Sequence, residues 1–441
     1  MNPQYRYPGV TPFSREQSAI FFGREKDIQR LNTRILRENL VVLHGKSGLG
    51  KSSLINAGIL PKLEQGELYE PLLVRFGAWT PNAAYTPLES TKATLQTTSK
   101  SDLLQKLLPQ DQSLWTLAKE RQLAGKAAPL LIFDQFEELF SYPDTAIQVF
   151  VKELAELVFT HIPQRFRERL EQLEDQNELS DEEDAQIEQP LLPHLLFAIR
   201  SDRLHLLDRL KDYFPNVLRH SYELLALSPE DARAAIVQPA AMTGNFATPP
   251  FQYSAAALDQ LLHYLQNEED QRIEGILIQM LCEHYEKKLV EAQGLQQLDL
   301  LQIGEPANIV AQYYEEKITS LANAQRETAR KLIEDGLVSK GEDGMRLSLH
   351  ESFIEQEYGV QTALLEQLVN SRLLRSEPFL RGGYTYELSH DRLIPAVVKA
   401  RKQRYAKLAE QERLAEQERL KAQAEQERLE KEKAKRQLRL V

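Results

Sequence analysis

One stretch constrains the fold of this chain more than any other: residues 40–53, which read LVVLHGKSGLGKSS. Its first four residues are apolar and predict a short buried strand of a parallel sheet. After His44, residues 45–52 match the complete phosphate-loop pattern G-x-x-x-x-G-K-[ST]. A helix is predicted directly after the loop, so the motif lies between a strand and a helix, as its function requires. We therefore expect a nucleotide site here.

The residue types of this loop suit the binding of phosphate groups. Its glycines allow backbone conformations in which successive N–H groups point toward a β-phosphate. Lys51 is expected to bridge the β- and γ-phosphates, and the hydroxyl of Ser52 to hold Mg²⁺. The helix that follows directs the positive end of its dipole toward the same anion. The predicted nucleotide-binding residues of the loop are Gly45, Gly48, Leu49, Gly50, Lys51, Ser52 and Ser53.

Length and composition are those of a globular protein with two or three domains. The chain has 441 residues, of which 42% are hydrophobic and 27% are charged. Its one cysteine, Cys282, excludes a disulfide framework and fits a reducing compartment. No signal peptide and no membrane-spanning run is found in the sequence, so we predict a cytoplasmic location. A net charge of −11 argues against broad nucleic-acid binding.

A second apolar run, PLLIFDQFEELF at residues 129–140, ends in an acidic group. A strand that ends in an aspartate is the expected partner of a phosphate loop, and it places Asp134 near Mg²⁺. Glu137 and Glu138 follow, and either could orient or deprotonate the attacking water; the alternative for each is a solvated helix residue. A third run, residues 195–199, ends in Arg200, which could reach a γ-phosphate or form an ion pair with Asp202. The predicted catalytic residues are Lys51, Asp134, Glu137, Glu138 and Arg200, with Ser52 and Asp134 as metal ligands.

Further strands are predicted at residues 72–76 and 222–225, and the pattern beyond them is mostly helical. Residues 80–100 suggest a loop or insertion, and residues 168–189 a charged helical excursion or a partly disordered insert. The tail contains three copies of E-Q-E-R-L whose leucines miss a heptad register, which favours one charged spacer helix over a stable coiled coil. The predicted domains are an N-terminal segment packing on the nucleotide site (1–20), a P-loop domain (21–226, with the acidic insert at about 165–190), a helical lid (227–320), a winged helix (321–401) and a charged helical linker (402–441).

Five motifs in chain order resemble the novel STAND class of signal-transduction NTPases, over roughly residues 5 to 400. These motifs are YPGVTPFSREQSAIFFGRE, the phosphate loop followed by INAGILPKL, DQFEELF, IRSDRL and ELSHDRL. The resemblance implies an α/β fold: a P-loop parallel-sheet domain of the ASCE or AAA+-like type, then a helical lid, a winged helix and a long charged C-terminal helix. It implies ATP or ADP with Mg²⁺ as cofactors.

The resemblance also implies roles for single residues. Arg24 would contact the nucleotide, Phe13 would line the adenine pocket, and Arg200 would be the sensor arginine. His390 is placed like the winged-helix histidine that contacts the β-phosphate of ADP in related proteins, although a histidine near a hairpin is often structural.

Two positions depart from the family pattern. Gln135 stands where related ATPases often have a second acid, so slow turnover is expected and Glu137 or Glu138 takes the hydrolytic role. Gly275 stands where family members commonly have a proline before the apolar run of the lid helix, which leaves Pro239 as a weak candidate for contact with the adenine.

The function that the resemblance implies is a nucleotide-operated switch for signalling or bacterial defence. ADP would hold the protein closed, and ATP would remove the His390 contact, engage Arg200 and promote self-association. An effector or sensor domain, or a partner protein, would lie outside this sequence, and a membrane attachment could lie there too. The alternatives are an initiator-like ATPase with a DNA-binding winged helix and a scaffold that binds ATP without hydrolysing it.

Overall fold

The computed structural model describes residues 4–66, 68–79, 84–97, 100–175, 179–267, 269–341, 344–379 and 382–438. The chain divides into two compact units. The first unit comprises Met1–Ile309 together with Ser376–Thr385, and the second comprises Val310–Arg375 together with Tyr386–Val441. The domain boundaries expected from the sequence, which are finer than this division, stay a prediction.

A five-stranded parallel sheet forms the centre of the first unit. Its strands are β1 (Leu40–Gly45), β2 (Tyr69–Val74), β3 (Ala128–Phe133), β4 (His194–Arg200) and β5 (Ser221–Glu223). In spatial order they are β2-β3-β4-β1-β5, so β4 lies between the phosphate-loop strand and the strand that precedes Asp134. The predicted α/β class is confirmed and all five predicted strands are present, although β2 and β5 each end two residues earlier than predicted.

The central strands β1, β3 and β4 are apolar along most of their length because both faces of the sheet are covered. Along β1, Val42 packs into a cluster on one face, while Val41 and Leu43 pack into a cluster on the other. Along β3, Phe133 packs into the same cluster as Val42, and Ile132 packs into the cluster on the other face. Strands β1 and β3 therefore bury successive side chains on opposite faces, as expected for a parallel sheet between helical layers.

The helices of the first unit surround this sheet and continue beyond it. The α-helices are Glu25–Arg37, Lys51–Ser53, Leu60–Glu64, Pro87–Leu95, Asp102–Leu107, Leu114–Leu123, Asp144–Phe159, Gln164–Asp175, Asp181–Glu188, Pro229–Ala241, Ala255–Leu265, Gly275–Tyr285 and Leu300–Ile303, with Pro306–Thr319 crossing into the second unit. The 3₁₀ helices are Arg15–Ile20, Phe136–Ser141 and Ser201–Leu210, and π-helical turns occupy Leu54–Ile59 and Glu286–Glu291. A two-stranded parallel pair joins β6 (Gln252–Tyr253) to β7 (Gln297–Leu298).

The structure corrects the loop expected at residues 80–100, and for the acidic insert it favours the helical alternative, with helices at Gln164–Asp175 and Asp181–Glu188. The stretch expected to be a loop at residues 80–100 contains the helix Pro87–Leu95, which begins with a capping box between Thr86 and Glu89. Residues 80–83 and 98–99 lie outside the described part. The acidic insert is folded in its described residues, because Phe166, Leu170 and Ile187 bury their side chains against a cluster around Trp115.

The second unit contains helices and a three-stranded sheet of order β8-β10-β9. Its strands are β8 (Leu349–His350), β9 (Leu374–Pro378) and β10 (Tyr384–Leu388), and residues 376–378 and 384–385 of this sheet belong to the first unit. Its helical segments are Asn323–Lys331, the π-helical turn Leu332–Gly336, Glu351–Tyr358, Thr362–Asn370, the 3₁₀ turn Asp391–Leu393 and the 45-residue helix Ile394–Leu438. The assignment of this region as a winged helix stays a prediction.

The long C-terminal helix is fixed to the second unit near its beginning. Arg401 donates to the carbonyl oxygens of Glu334 (2.9 Å) and Val338 (3.1 Å). Arg404 forms ion pairs with the buried carboxylate of Glu334 and with Asp335. In the described part of the chain, no helix combines the length and the apolarity needed to cross a membrane.

Candidate nucleotide site

The phosphate loop lies at the carboxyl end of β1, where ligands bind in open parallel sheets. Gly48 and Gly50 have φ values of 83° and 90°, in the left-handed region that glycine adopts without strain. Gly45 is required for another reason: a Cβ atom there would lie 2.7 Å from the carbonyl oxygen of Leu224. The backbone of the loop therefore has the form that the motif predicted.

Lys51 folds back over its own loop. Its Nζ atom donates to the carbonyl oxygens of Gly45 (2.8 Å) and Lys46 (3.3 Å). Burial lowers the pKa of Lys51, and the nearby Glu137 opposes this effect by favouring the charged form. The ammonium group is thus positioned by acceptors that a phosphate oxygen can replace.

Ser52 and Asp134 are brought together, as the sequence predicted. The hydroxyl of Ser52 donates to Oδ1 of Asp134 at 3.1 Å, and the Asp134 residue is only 2% exposed. Hydroxyl and carboxylate oxygens are the hard ligands that Mg²⁺ prefers, together with substrate phosphates and water. The donor set therefore fits Mg²⁺. Ser52 and Asp134 would supply the protein part of that site.

Arg75 is a site residue that the sequence analysis did not identify. Its guanidinium group forms an ion pair with Asp134, and the Nε atom lies 3.1 Å from Oδ2. Arg75 follows β2 directly, and Val74 of β2 is paired with Phe133 of β3, so Arg75 and Asp134 leave the sheet side by side. The signal was available: residues that follow neighbouring parallel strands meet at one edge of the sheet.

The two glutamates after Asp134 have different surroundings. Oε2 of Glu138 accepts a hydrogen bond from the backbone N–H of Gly77 at 2.8 Å. Burial raises the pKa of Glu138 to about 7, although the Gly77 N–H and Arg75 act in the opposite direction. Burial also raises the pKa of Glu137, whose Oε2 atom is buried without a hydrogen-bond partner among the described residues.

Arg200 leaves the carboxyl end of β4 beside the phosphate loop and is held by two carboxylates. It donates to both carboxylate oxygens of Asp202, at 3.0 and 2.9 Å, and forms an ion pair with Glu377. The pair with Asp202 is the alternative considered from the sequence. Glu377 was not anticipated, because it lies 177 residues later in the chain, in the segment Ser376–Thr385 that belongs to the first unit.

Arg24 and Phe13 both contact the phosphate-loop region. The Arg24 guanidinium donates to the carbonyl oxygens of Leu49 (2.9 Å) and Leu225 (2.8 Å), so it links the phosphate loop to the segment after β5. The backbone N–H of Phe13 donates to the hydroxyl of Ser53 at 3.1 Å. The Phe13 ring packs 5.0 Å from the ring of Phe21, measured between centroids.

The N-terminal segment also binds the helical region after the sheet. Arg6 is fully buried and forms an ion pair with Glu286 at 3.1 Å, while its guanidinium donates to the carbonyl oxygens of Met242 and Thr248. Residues 4–20 therefore join two parts of the first unit: the phosphate-loop helix through Phe13 and the helical region through Arg6.

The last two predicted residues lie away from the phosphate loop in the sequence. Pro239 is buried inside the helix Pro229–Ala241. His390 belongs to the second unit, is 7% exposed, and accepts a hydrogen bond at Nδ1 from the backbone N–H of Arg392 at 3.0 Å. Nucleotide contact by either residue stays a prediction.

Comparison with known proteins identifies the family. The model of the novel STAND NTPase 1 family matches residues 6–435. No curated protein matches the chain. Among solved structures, similarity is found to the Orc1 protein of Aeropyrum pernix in complex with DNA (14% identity, TM-score 0.42, 86% of this chain and 93% of that chain). It is also found to a Walker-type ATPase of Pyrococcus abyssi (12%, 0.41, 88% and 97%) and to the RuvB Holliday junction branch migration motor of Thermotoga maritima (13%, 0.39, 86% and 95%).

The family match spans almost the whole chain and includes all five motifs quoted from the sequence. It agrees with a phosphate loop, an aspartate and two flanking arginines placed at one edge of a parallel sheet. This chain belongs to the novel STAND NTPase 1 family of P-loop NTPases.

Proposed function

We propose that this protein is an ATP- and ADP-binding STAND switch that hydrolyses ATP slowly. Bound nucleotide controls a conformational opening, and the opened ATP form self-associates in signalling or defence. A switch of this kind requires contacts that differ between the two nucleotide states, because a ligand shifts an equilibrium only through differential affinity.

The observation that carries this proposal is the pairing of Arg200 with Asp202 and Glu377. Arg200 is a cation at the edge of the sheet that holds the phosphate loop, and its partners are carboxylates of the chain itself. A γ-phosphate offers the same type of acceptor with more negative charge. ATP therefore competes with Glu377 for Arg200, whereas ADP does not carry the group that competes.

The competition between ATP and Glu377 changes how the segment that contains Glu377 is held. Glu377 is a residue of β9 and lies in the segment Ser376–Thr385, and both strands of this β9–β10 hairpin continue into the second unit. A change in the partner of Arg200 therefore releases a segment that is covalently continuous with the second unit. The resemblance adds a second state-dependent contact, that of His390 with the β-phosphate of ADP.

Hydrolysis in this proposal uses Glu137. Burial raises the pKa of Glu137, and the nearby charges of Lys51 and Arg200 oppose this rise. Its buried Oε2 has no hydrogen-bond partner in the described structure. A free carboxylate oxygen beside the phosphate loop can accept a proton from an attacking water. Mg²⁺, held by Ser52 and Asp134, would neutralise charge on the β- and γ-phosphates. Arg24, Phe13 and Pro239 remain candidates for contact with the rest of the nucleotide.

The test begins with the nucleotide that co-purifies with the protein, released by denaturation and separated by ion exchange. Tightly held ADP is expected. The mass of the protein in solution is then measured with ADP and with a slowly hydrolysed ATP analogue, for the unmodified chain, His390→Ala and Arg200→Ala. We expect His390→Ala to self-associate without ATP and Arg200→Ala to remain monomeric with the analogue.

Two outcomes would contradict the proposal. Equal masses in all nucleotide states and variants would argue against a switch and favour a nucleotide-binding scaffold. Rapid ATP turnover that is stimulated by DNA, with salt-sensitive DNA retention, would favour the initiator-like alternative.

A further inference from the structure

Asp134 is a buried carboxylate whose two oxygens are both engaged. Oδ1 accepts from the hydroxyl of Ser52, and Oδ2 accepts from the guanidinium of Arg75. A buried carboxylate is stable only when a cation or several donors compensate its charge. Among the contacts of the described residues, Arg75 supplies the positive charge bonded directly to Asp134.

The two partners differ in their freedom to move. Asp134 is held by its backbone, since its N–H donates to the carbonyl oxygen of Val74 at 3.1 Å, and its side chain is 2% exposed. The Arg75 side chain is 48% exposed. Arg75 can therefore leave Asp134 and be solvated at modest cost, whereas Asp134 cannot follow it.

We propose that Arg75 is the resident counter-cation of Asp134 and that Mg²⁺ must displace it to use this carboxylate. The inference rests on the proposed function in so far as Mg²⁺ accompanies the nucleotide. Arg75 thereby acts as a positioning residue, which keeps Asp134 oriented toward Ser52 before Mg²⁺ arrives. It also raises the Mg²⁺ concentration that the site requires, because Mg²⁺ and Arg75 compete for the negative charge of the same carboxylate.

The variant Arg75→Gln removes the charge, and Arg75→Lys retains it without the two-pronged geometry. The control is Arg233→Gln, since Arg233 is also half-exposed (50%) and paired with an aspartate, Asp259, in the same unit. Binding of a fluorescent ADP analogue is titrated with MgCl₂ for the unmodified protein and the three variants. In parallel, the unfolding temperature is measured without nucleotide, first in EDTA and then against MgCl₂.

We expect Arg75→Gln to lower the half-saturating Mg²⁺ concentration by about tenfold, as the loss of a charge-assisted pair implies. Arg75→Lys should lie between it and the unmodified protein, and Arg233→Gln should not differ from the unmodified protein. In EDTA, Arg75→Gln should unfold at a lower temperature than the unmodified protein. Added MgCl₂ should raise the unfolding temperature of Arg75→Gln by more than it raises that of the unmodified protein. When Asp134→Asn is already present, Arg75→Gln should no longer lower the unfolding temperature in EDTA.

A half-saturating Mg²⁺ concentration that is unchanged or higher in Arg75→Gln would overturn the proposal. An unchanged value would mean that Arg75 does not affect Mg²⁺ binding, and a higher value would mean that Arg75 favours it. If Arg75→Gln does not fold, Arg75→Lys carries the same test. If the unmodified protein binds no nucleotide at any Mg²⁺ concentration, the proposed function fails, and the response of the unfolding temperatures to MgCl₂ alone still decides the role of Arg75.

Discussion

Glu137 and Glu138 are consecutive residues of one 3₁₀ helix, yet their carboxylates have different partners: Glu138 accepts from the Gly77 N–H at 2.8 Å, whereas Oε2 of Glu137 is buried without a partner among the described residues. The sequence left the choice between them open. The geometry favours Glu137 as the residue that meets the attacking water and Glu138 as the residue that fixes the loop after β2.

Replacing Glu137 with Gln should therefore reduce ATP turnover by about 10²-fold or more, which is the usual contribution of a general base. ATP affinity should change little, since the amide keeps the shape of the side chain. Phosphate release and binding of a fluorescent ATP analogue measure the two effects. The matched variant Glu138→Gln should lose less activity, and the reverse ranking would assign the base to Glu138.

Lys51 should dominate phosphate binding in the loop. Lys51→Ala removes charge-assisted hydrogen bonds and should weaken ATP and ADP binding by about 10- to 100-fold. Lys46→Ala is the matched control, because Lys46 belongs to the same loop but its side chain is exposed. Calorimetric titration with each nucleotide measures the difference. Similar losses in both variants would indicate that the loop needs overall positive charge and not one positioned ammonium group.

The raised pKa of Glu138 predicts a pH dependence of stability. With a pKa of about 7 in the folded protein and about 4.3 in the unfolded chain, the folded state binds more protons between these values. The free energy of unfolding should therefore fall as the pH rises from about 4.5 to 7, by at most about 4 kcal/mol from this group. Urea unfolding at pH 5.5 and pH 8 should show a smaller difference in Glu138→Gln. An equal difference in both proteins would show that other groups cause the pH dependence of stability.

Releasing Arg200 from the hairpin should favour ATP. Glu377→Gln leaves Arg200 with Asp202 alone, so ATP affinity should increase by about three- to tenfold while ADP affinity stays the same. Glu387→Gln is the control in the same hairpin, since Glu387 pairs with Arg375 and Arg346 instead. Competition between the two nucleotides for a fluorescent analogue gives the ratio. A parallel gain for ADP would show that Arg200 does not distinguish the γ-phosphate.

The buried pair of Arg6 with Glu286 should be needed for stability. Glu286→Ala leaves Arg6 with an uncompensated buried charge and should reduce the free energy of unfolding by about 3–5 kcal/mol. Asp259→Ala breaks the exposed pair with Arg233 and should cost less than about 1 kcal/mol. Chemical denaturation of the two variants measures both changes in the free energy of unfolding. Equal small losses would mean that water reaches Arg6 once Glu286 is removed.

The sheet and the phosphate loop were predictable because their signals are local. Strands buried on both faces are runs of apolar residues, and a loop that must cradle phosphate has glycines at fixed spacing. The same reasoning placed Asp134 and Arg200 at the ends of their strands. The helix Pro87–Leu95 was not predicted, because threonines and serines such as those around it are typical of loops. Its local signal is a capping box between Thr86 and Glu89, with Pro87 in the first turn.

The partners of the site residues were less predictable because they are distant in sequence. Arg75 and Asp134 are 59 residues apart, and only the pairing of β2 with β3 brings them together. Glu377 reaches Arg200 through a hairpin whose placement depends on packing. Single-sequence patterns carry no information on such pairings, whereas they do report which residue types lie at a strand end.

The helix that begins at Ile394 has a mechanical consequence. Arg401 and Arg404 clamp its first turns to the π-helical turn Leu332–Gly336, and the rest, as far as Leu438, extends about 50 Å from that clamp at 1.5 Å per residue. A straight helix of this length acts as a lever arm. A tilt of about 10° at the clamp moves its far end by about 9 Å, because the displacement grows with the length of the helix. A small rearrangement at the clamp is thereby converted into a displacement larger than a side chain.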